Sequence, residues 1–305
     1  MILSIGCNPA VDLILETEDF RANALNRVAG KRVLYGGKSM NFLTAAYKLG
    51  VECQASGFMG KRGAPFKQLL KSYNIPFKFV NCPHDVRTNV KIYSGANLTE
   101  LNDEGFSVSE REQDRLIDLV EQAETDMLAC SGSLPPEVRE DFYYRLANAA
   151  GPKVKFACDC EKAAMMPALR ANPVLIKPNR AELEAMTGGS LKTFSDIVNA
   201  ARLLITRGAQ NVLVSMGADG AIIVGGAAAF WGQYAQKVQA ANPMGCGDTM
   251  FAAACGVLLM GGNLVDVLVQ AVAAATLAVA GPAIAAMDMS RFEGVRGNVR
   301  VEPIK

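Results

Sequence analysis

The sequence predicts an α/β protein: a mostly parallel central sheet covered by helices on both faces, with a small antiparallel β flap beside it. Three observations predict this. Strand-like and helix-like segments alternate from about residue 109 onward, the pattern that right-handed crossovers between parallel strands produce. Two stretches, about 10–35 and about 85–101, carry strand-like pieces with no helix between them. The chain has 305 residues, 50% hydrophobic and 20% charged, which supports one large core and excludes a disordered polymer. The whole chain, 1–305, reads as one domain with the two flap segments inserted in it.

The elements follow in order. Met1–Cys7 is apolar and ends at Asn8-Pro9, which fits a first buried strand better than a signal peptide. Val11–Leu15 and Arg32–Tyr35 supply the first flap segment, and Asn89–Tyr93 the second. Gly36-Gly37 opens a helix carrying Phe42, Ala45, Ala46 and Leu49 at helical spacing. Ser109-Glu110-Arg111-Glu112 has capping-box spacing before Leu116, Ile117 and Val120. Met127–Cys130 reads as a strand, and Pro135-Pro136 as the start of the next helix. Val154–Cys158 and Val174–Ile176 are further strands, each followed by a helical stretch, and Val212–Ser215 and Ala221–Val224 complete the series. The long apolar tract from Met250 to Gly281 is split by Gly261-Gly262-Asn263 and interrupted by Asp266 and Gln270, so it predicts two buried helices rather than a membrane span.

Composition excludes several functions. Lys+Arg 31 against Asp+Glu 30 leaves no global field for nucleic acid or an anionic membrane. Eight scattered cysteines form neither a disulfide framework nor a zinc pattern, so a cytoplasmic protein is expected. His84 is the single histidine, which excludes a Ser-His-Asp or Cys-His nucleophile system. The chemistry must run on carboxylates, cations and backbone dipoles.

Four motifs can carry such chemistry, and each, taken alone, also fits a purely structural role. In Gly245-Cys246-Gly247-Asp248, glycines at a helix start leave N–H groups free for an anion, with a carboxylate beside them able to accept a proton. Gly36-Gly37-Lys38-Ser39-Met40-Asn41 offers close backbone approach, a cation and an amide, without the spacing of a Walker A loop. Ser215-Met216-Gly217-Ala218-Asp219-Gly220 lies between two strands and fits either a hairpin turn or a phosphate-facing loop. Lys177-Pro178-Asn179-Arg180-Ala181-Glu182 follows a buried strand; Asn179 and Glu182 have capping-box spacing and could equally organise magnesium-bound water.

The order of these motifs, together with Asn8-Pro9-Ala10-Val11-Asp12, Arg87-Thr88-Asn89-Val90-Lys91 and Ser131-Gly132-Ser133-Leu134-Pro135-Pro136, resembles the ribokinase-like sugar kinases in their phosphofructokinase B branch. The resemblance spans nearly the whole chain and implies a three-layer sandwich with a flap acting as a lid. It also implies an ATP- and Mg2+-dependent kinase of a phosphorylated ketohexose: fructose 1-phosphate first, tagatose 6-phosphate as the alternative. A non-catalytic sugar-phosphate or nucleotide sensor on the same fold is a third reading. The resemblance makes Asp248 the base and Gly245, Cys246 and Gly247 the anion hole. It assigns Asp12, Gly37, Lys38, Asn41 and Arg87 to the sugar phosphate, and Lys177, Asn179, Ser215, Gly217 and Gly220 to the nucleotide. Asn179 and Glu182 would handle magnesium, through water.

Three positions depart from the resembled pattern: Ser39 replaces a glycine, Cys246 a glycine or alanine, and Thr249 a common serine. A side chain at Ser39 is expected to cost strain or alter the sugar fit, and Cys246 to carry a thiol of lowered pKa at the helix end. The β-branched residues of the flap, with an exposed edge, predict a homodimer formed through it.

Overall fold

The apolar run Ile2–Gly6 forms β1, and all of its residues are buried. A strand hidden on both faces belongs inside a parallel sheet. The computed structural model describes residues 1–95 and 97–304; of the second flap segment, Ala96 lies outside them. In chain order the next strands are β2 (Ala10–Thr17), β3 (Gly30–Gly36), β4 (Cys53–Lys61), β5 (Phe77–Asp85), β6 (Arg87–Ser94) and β7 (Asn97–Leu101). They are followed by β8 (Met127–Ser131), β9 (Lys155–Asp159), β10 (Leu175–Ile176), β11 (Asn211–Ser215), β12 (Ala221–Gly225), β13 (Ala228–Tyr234) and β14 (Val299–Pro303).

Ten of these strands form the main sheet, in the order β14-β13-β12-β11-β10-β9-β8-β1-β4-β5. Every pairing from β5 across to β11 is parallel, and from β11 to β14 every pairing is antiparallel. The switch has a simple cause. Only residues 216–220 join β11 to β12, far short of the roughly dozen that a parallel crossover needs.

Among the described residues ten helices cover the sheet: α1 (Lys38–Lys48), α2 (Ala64–Ser72), α3 (Glu110–Glu121), α4 (Phe142–Ala150), α5 (Lys162–Ala168), α6 (Arg180–Thr187), α7 (Phe194–Thr206), α8 (Cys246–Leu259), α9 (Leu264–Ala280) and α10 (Phe292–Arg296). Alternation along the strands divides the core between the two faces. Leu3, Ile5, Leu128 and Cys130 pack with α3–α7, while Ile2, Met127 and Ala129 pack with α1, α2, α8 and α9. These are the three layers that the resemblance implies. The capping boxes at Ser109 and Asn179 form with both reciprocal bonds. The apolar tract after Met250 folds as α8 and α9, and among the described residues no helix is long and apolar enough to cross a membrane.

One helix start moves. Pro135-Pro136 lies in a turn, and α4 begins only at Phe142. A residue before proline is pushed away from helical backbone, and Glu137 then takes a left-handed φ of 67°, so no helix propagates from that point.

The flap is a separate sheet in the order β3-β2-β6-β7. Its outer pairings are antiparallel, as expected, whereas the central pair β2–β6 is parallel, because two hairpins from different parts of the chain meet there. The register puts Asp12 beside Asn89 and Leu34, and Lys91 beside Glu100. Residues two apart share a face. Asp12, Arg87, Asn89 and Lys91 therefore line one face, and Val11, Leu13, Val33, Tyr35, Val90 and Leu101 the other.

Candidate active site

The parallel strands β1, β8, β9 and β10 all end on one edge of the sheet, and the polar motifs follow directly. Asn8-Pro9 follows β1, Gly132-Ser133 follows β8, Asp159 closes β9, and Lys177–Asn179 follow β10. In open α/β sheets, ligands bind in the crevice outside the carboxyl ends of the strands. Here that crevice is a cavity of about 810 Å³ between the sheet edge, the flap and the start of α8, lined among others by Asp12, Lys38, Asn41, Arg87 and Asp248. Gly37, Asn179, Gly245 and Gly247 also reach it.

Asp248 occupies the first turn of α8, whose N-cap Gly245 adopts a left-handed φ of 75° that an L side chain would resist. The first amides of a helix have no partner inside it, so the N–H groups of Cys246 and Gly247 are available to an anion. The Asn41 amide donates to Asp248 Oδ2 at 2.7 Å and holds the carboxylate in place. Burial, together with the nearby Asp159 charge, raises the Asp248 pKa to about 6, against the pull of Lys38, Asn41 and Lys177. A carboxylate tuned in this way can accept a hydroxyl proton near neutral pH.

Beside it stands a buried charge cluster. Asp159, 1% exposed, receives the Lys38 ammonium at 2.9 Å on Oδ1 and the Lys177 ammonium at 3.1 Å on Oδ2. Burial alone would raise the Asp159 pKa, but Lys177 and Lys38 bring it below its ordinary value. Lys38 also lies 3.8 Å from Glu182. Burial works against its charge, and Asp159, Glu182 and Asp248 together raise its pKa above the usual lysine value. Lys177 reaches the anion turn from below: a Cβ on Gly247 would lie 3.3 Å from its Nζ. The cluster sets two cations near Asp248, able to neutralise a bound anion.

The flap supplies the opposite wall. The Asn89 amide donates to Asp12 Oδ1 at 3.0 Å, leaving Oδ2 for a ligand hydroxyl. The Arg87 guanidinium donates through Nη1 to the Asp103 carbonyl at 2.9 Å, and its Nε is buried without a partner.

Residues 1–287 match the pfkB family of carbohydrate kinases. The chain is 31% identical to the 1-phosphofructokinase of Borreliella burgdorferi over 278 residues, covering 90% of this chain and 91% of that protein. It is 30% identical to the 1-phosphofructokinase of Escherichia coli K12 over 310 residues, covering 99% and 98%. The chain belongs to the pfkB family of carbohydrate kinases. Among solved structures, phosphofructokinase-2 of Escherichia coli matches with a TM-score of 0.87 and 25% identity over 97% of this chain and 98% of that one, both in complex with fructose-6-phosphate and in a tetrameric inhibited form.

Other residues expected at the site of this pfkB kinase lie at its border. Asn179 and Glu182 are engaged with each other: Glu182 Oε2 accepts from the Asn179 backbone N–H at 2.7 Å, and Asn179 Oδ1 from that of Glu182 at 2.8 Å. Ser215 ends β11 beside Asn179, to which an isolated bridge joins it. Gly217 and Gly220 form the exposed turn into β12, which the Trp231 indole and the Gln233 amide pin through the Asp219 and Ala218 carbonyls. A Cβ on Gly220 would collide with the Gly232 carbonyl, so the turn needs its glycine. Ser215, Gly217 and Gly220 thus stand at the sheet edge outside the main cavity, forming an open rim beside Asn179.

The departures resolve differently from expectation. Ser39 lies inside α1 with no left-handed φ, so no strain arises; its hydroxyl fills space that Gly6 leaves, since a Cβ on Gly6 would collide with it. The Cys246 thiol is raised to about 12 rather than lowered, by burial and by the Asp248 charge beside it, and it points toward the Asn242 carbonyl, 3.6 Å away. The Thr249 hydroxyl donates to the Gly245 carbonyl at 2.9 Å and braces the turn. Sequence reasoning missed Asp159 and gave no role to Asn89 or Lys91. The carboxylate that closes strand Lys155–Asp159 at the crevice edge was the available signal for the first.

Proposed function

We propose that the chain transfers the γ-phosphoryl group of ATP to the 6-hydroxyl of fructose 1-phosphate, giving fructose 1,6-bisphosphate. The observation that carries this reading is Asp248: a buried carboxylate with a raised pKa, aimed by Asn41 and set in the first turn of a helix behind an anion-ready glycine turn. The listeners to the reacting hydroxyl are few: Asp248 takes its proton, Asp12 and Asn41 orient the sugar, and the amides of the Gly245–Gly247 turn receive the phosphoryl oxygens. Lys177 and Lys38 neutralise developing charge. The rim of Ser215, Gly217 and Gly220 is the nucleotide side. The names of the curated relatives support fructose 1-phosphate as the acceptor.

Magnesium fits this site at Glu182. Among the described residues no three carboxylate, thiol or imidazole groups gather into a cage. Glu182 Oε1 lies outside the capping box, so Glu182, with Asn179 fixing its orientation, would hold the ion through water, as a reluctantly dehydrated cation prefers. When bound it would neutralise phosphate charge.

The same reading makes the protein a homodimer through the flap. On the flap face opposite Asp12, Leu101 is 58% and Val33 42% exposed, and β3 and β7 are edges. Light scattering at micromolar concentration should give twice the chain mass, and Leu101→Lys should shift it toward one; a wild-type monomer would sink the dimer. For the activity, a coupled assay compares fructose 1-phosphate, tagatose 6-phosphate, fructose and nucleosides with ATP. A higher kcat/KM for a free sugar or a nucleoside overturns the reading.

A further inference from the structure

Three cations line the cavity among the described residues: Lys38, Arg87 and Lys91. Lys38 is committed to the transfer end by Asp159 and Glu182. The other two stand on β6, one on each side of Asn89 at two-residue spacing, and share the inner flap face.

The Lys91 ammonium is poorly served where it is. Its side chain is 13% exposed, yet the carboxylates of Asp12 and Glu100 stand off at 3.8 and 3.6 Å. Those distances exceed a hydrogen bond. Its hydrogen-bond acceptor among the described residues is Met244 Sδ at 3.0 Å, and a thioether is a weak acceptor for a group with three donors. Arg87 shares the condition, since its Nε is buried and unpartnered. Two incompletely satisfied cations on one wall suit an oxyanion with several acceptor oxygens.

We propose that Lys91, together with Arg87, binds the phosphate that the sugar substrate already carries, and that Lys91 sets the preference for phosphorylated over free ketohexose. This rests on the kinase reading above and refines it, moving the second phosphate-binding cation from Lys38 to Lys91. Lys91 also touches Met244, which immediately precedes Gly245 of the anion turn. A phosphate held by Lys91 therefore ties the flap to the loop that leads into α8.

The test compares wild type with Lys91→Met, which keeps the stem and removes the charge. Steady-state kinetics with saturating ATP are run on free fructose and on fructose 1-phosphate or tagatose 6-phosphate, whichever the wild type prefers. KM for the phosphorylated sugar should rise about 30-fold, the size of one hydrogen bond to a charged group, while KM for ATP and turnover of free fructose stay within about twofold. The ratio of the two kcat/KM values should collapse by the same factor, and Lys91→Arg should recover most of it. An unchanged ratio overturns the assignment, whether both activities persist or both fall together, because a residue that merely supports Asp12 or the flap would affect the two sugars equally. If Lys91→Met does not fold, Lys91→Gln gives the same ratio test. The acceptor reading itself is judged on wild type alone, so its failure is distinct from failure at Lys91.

Discussion

In the proposed reading, the transfer end of the cavity is built on the ten-stranded sheet, whereas the sugar end is built on a four-stranded flap. At the transfer end Asp248, Asp159 and Lys177 are 8%, 1% and 4% exposed, and each is held by a short polar contact. At the flap, Arg87 and Lys91 keep donors unpaired or on a thioether, and the sheet beneath them turns its other face to the outside. The difference is physical. Stabilising a transition state requires groups already fixed where charge develops, and only a strand or helix locked in the core supplies that rigidity. Recognising a substrate requires groups that exchange poor partners for better ones, and a flap outside the main sheet is placed to make that exchange. The predictions sharpen or break this division.

The largest effect belongs to Asp248. Asp248→Asn preserves size and the contact with Asn41 but accepts no proton, so kcat should fall roughly 10²- to 10⁴-fold with little change in either KM. A variant keeping more than about a tenth of wild-type kcat would remove Asp248 as the base. The raised pKa also fixes the pH dependence. As the proposed base, Asp248 works only when ionised, so wild-type kcat/KM should decline as pH drops below about 6. For stability the sign is opposite: the folded state holds this proton more tightly than the unfolded chain, so the contribution is full below the ordinary carboxylate pKa and is lost as pH rises through about 6. Asp248→Asn should lose that pH-dependent component in thermal unfolding, and an unaltered component would refute the shift.

Asp159 comes next, and it separates positioning from chemistry. Asp159→Asn leaves Lys177 buried without a full counter-charge and frees Lys38 from its anchor. Breaking a buried pair by removing one partner typically costs about 3–5 kcal/mol, so denaturant unfolding should register a large loss. A removal of equal kind on the flap, Lys91→Met, should leave stability nearly intact while altering sugar preference. Equal destabilisation by the two substitutions would end the division between a locked core and an exchanging flap.

What could be read from the sequence follows the same line. The alternation of strands and helices, the capping boxes at Ser109 and Asn179, and the glycine turn before Asp248 are local signals, and local signals survive folding. The parallel β2–β6 pair and the antiparallel edge through β14 depend on which distant strands meet, a matter of topology that periodicity does not carry. Pro135-Pro136 misled because a helix-start preference says nothing about a left-handed residue two positions on. Asp159 escaped because a lone carboxylate at a strand end gains its meaning only when Lys38 and Lys177, 121 positions before it and 18 after it, converge on it.

The smallest expected effect is at Cys246, where the two ends of the comparison nearly cancel. The residue sits in the anion turn, yet what that turn gives an anion is the backbone N–H, which any residue except proline provides. Its thiol is raised to about 12 by burial and by the neighbouring Asp248, so it is protonated across the working range and contributes no charge. Its contact with the Asn242 carbonyl, at 3.6 Å, is the weak bond of an S–H donor. Cys246→Ala should therefore leave kcat and KM within about twofold of wild type, since neither the amide nor the helix is altered. Iodoacetamide should modify the native protein slowly at neutral pH, because the thiolate is the reactive form. Rapid inactivation by the reagent, abolished in Cys246→Ala, would show an ionised thiol and overturn the account of the turn as a site of backbone dipoles alone.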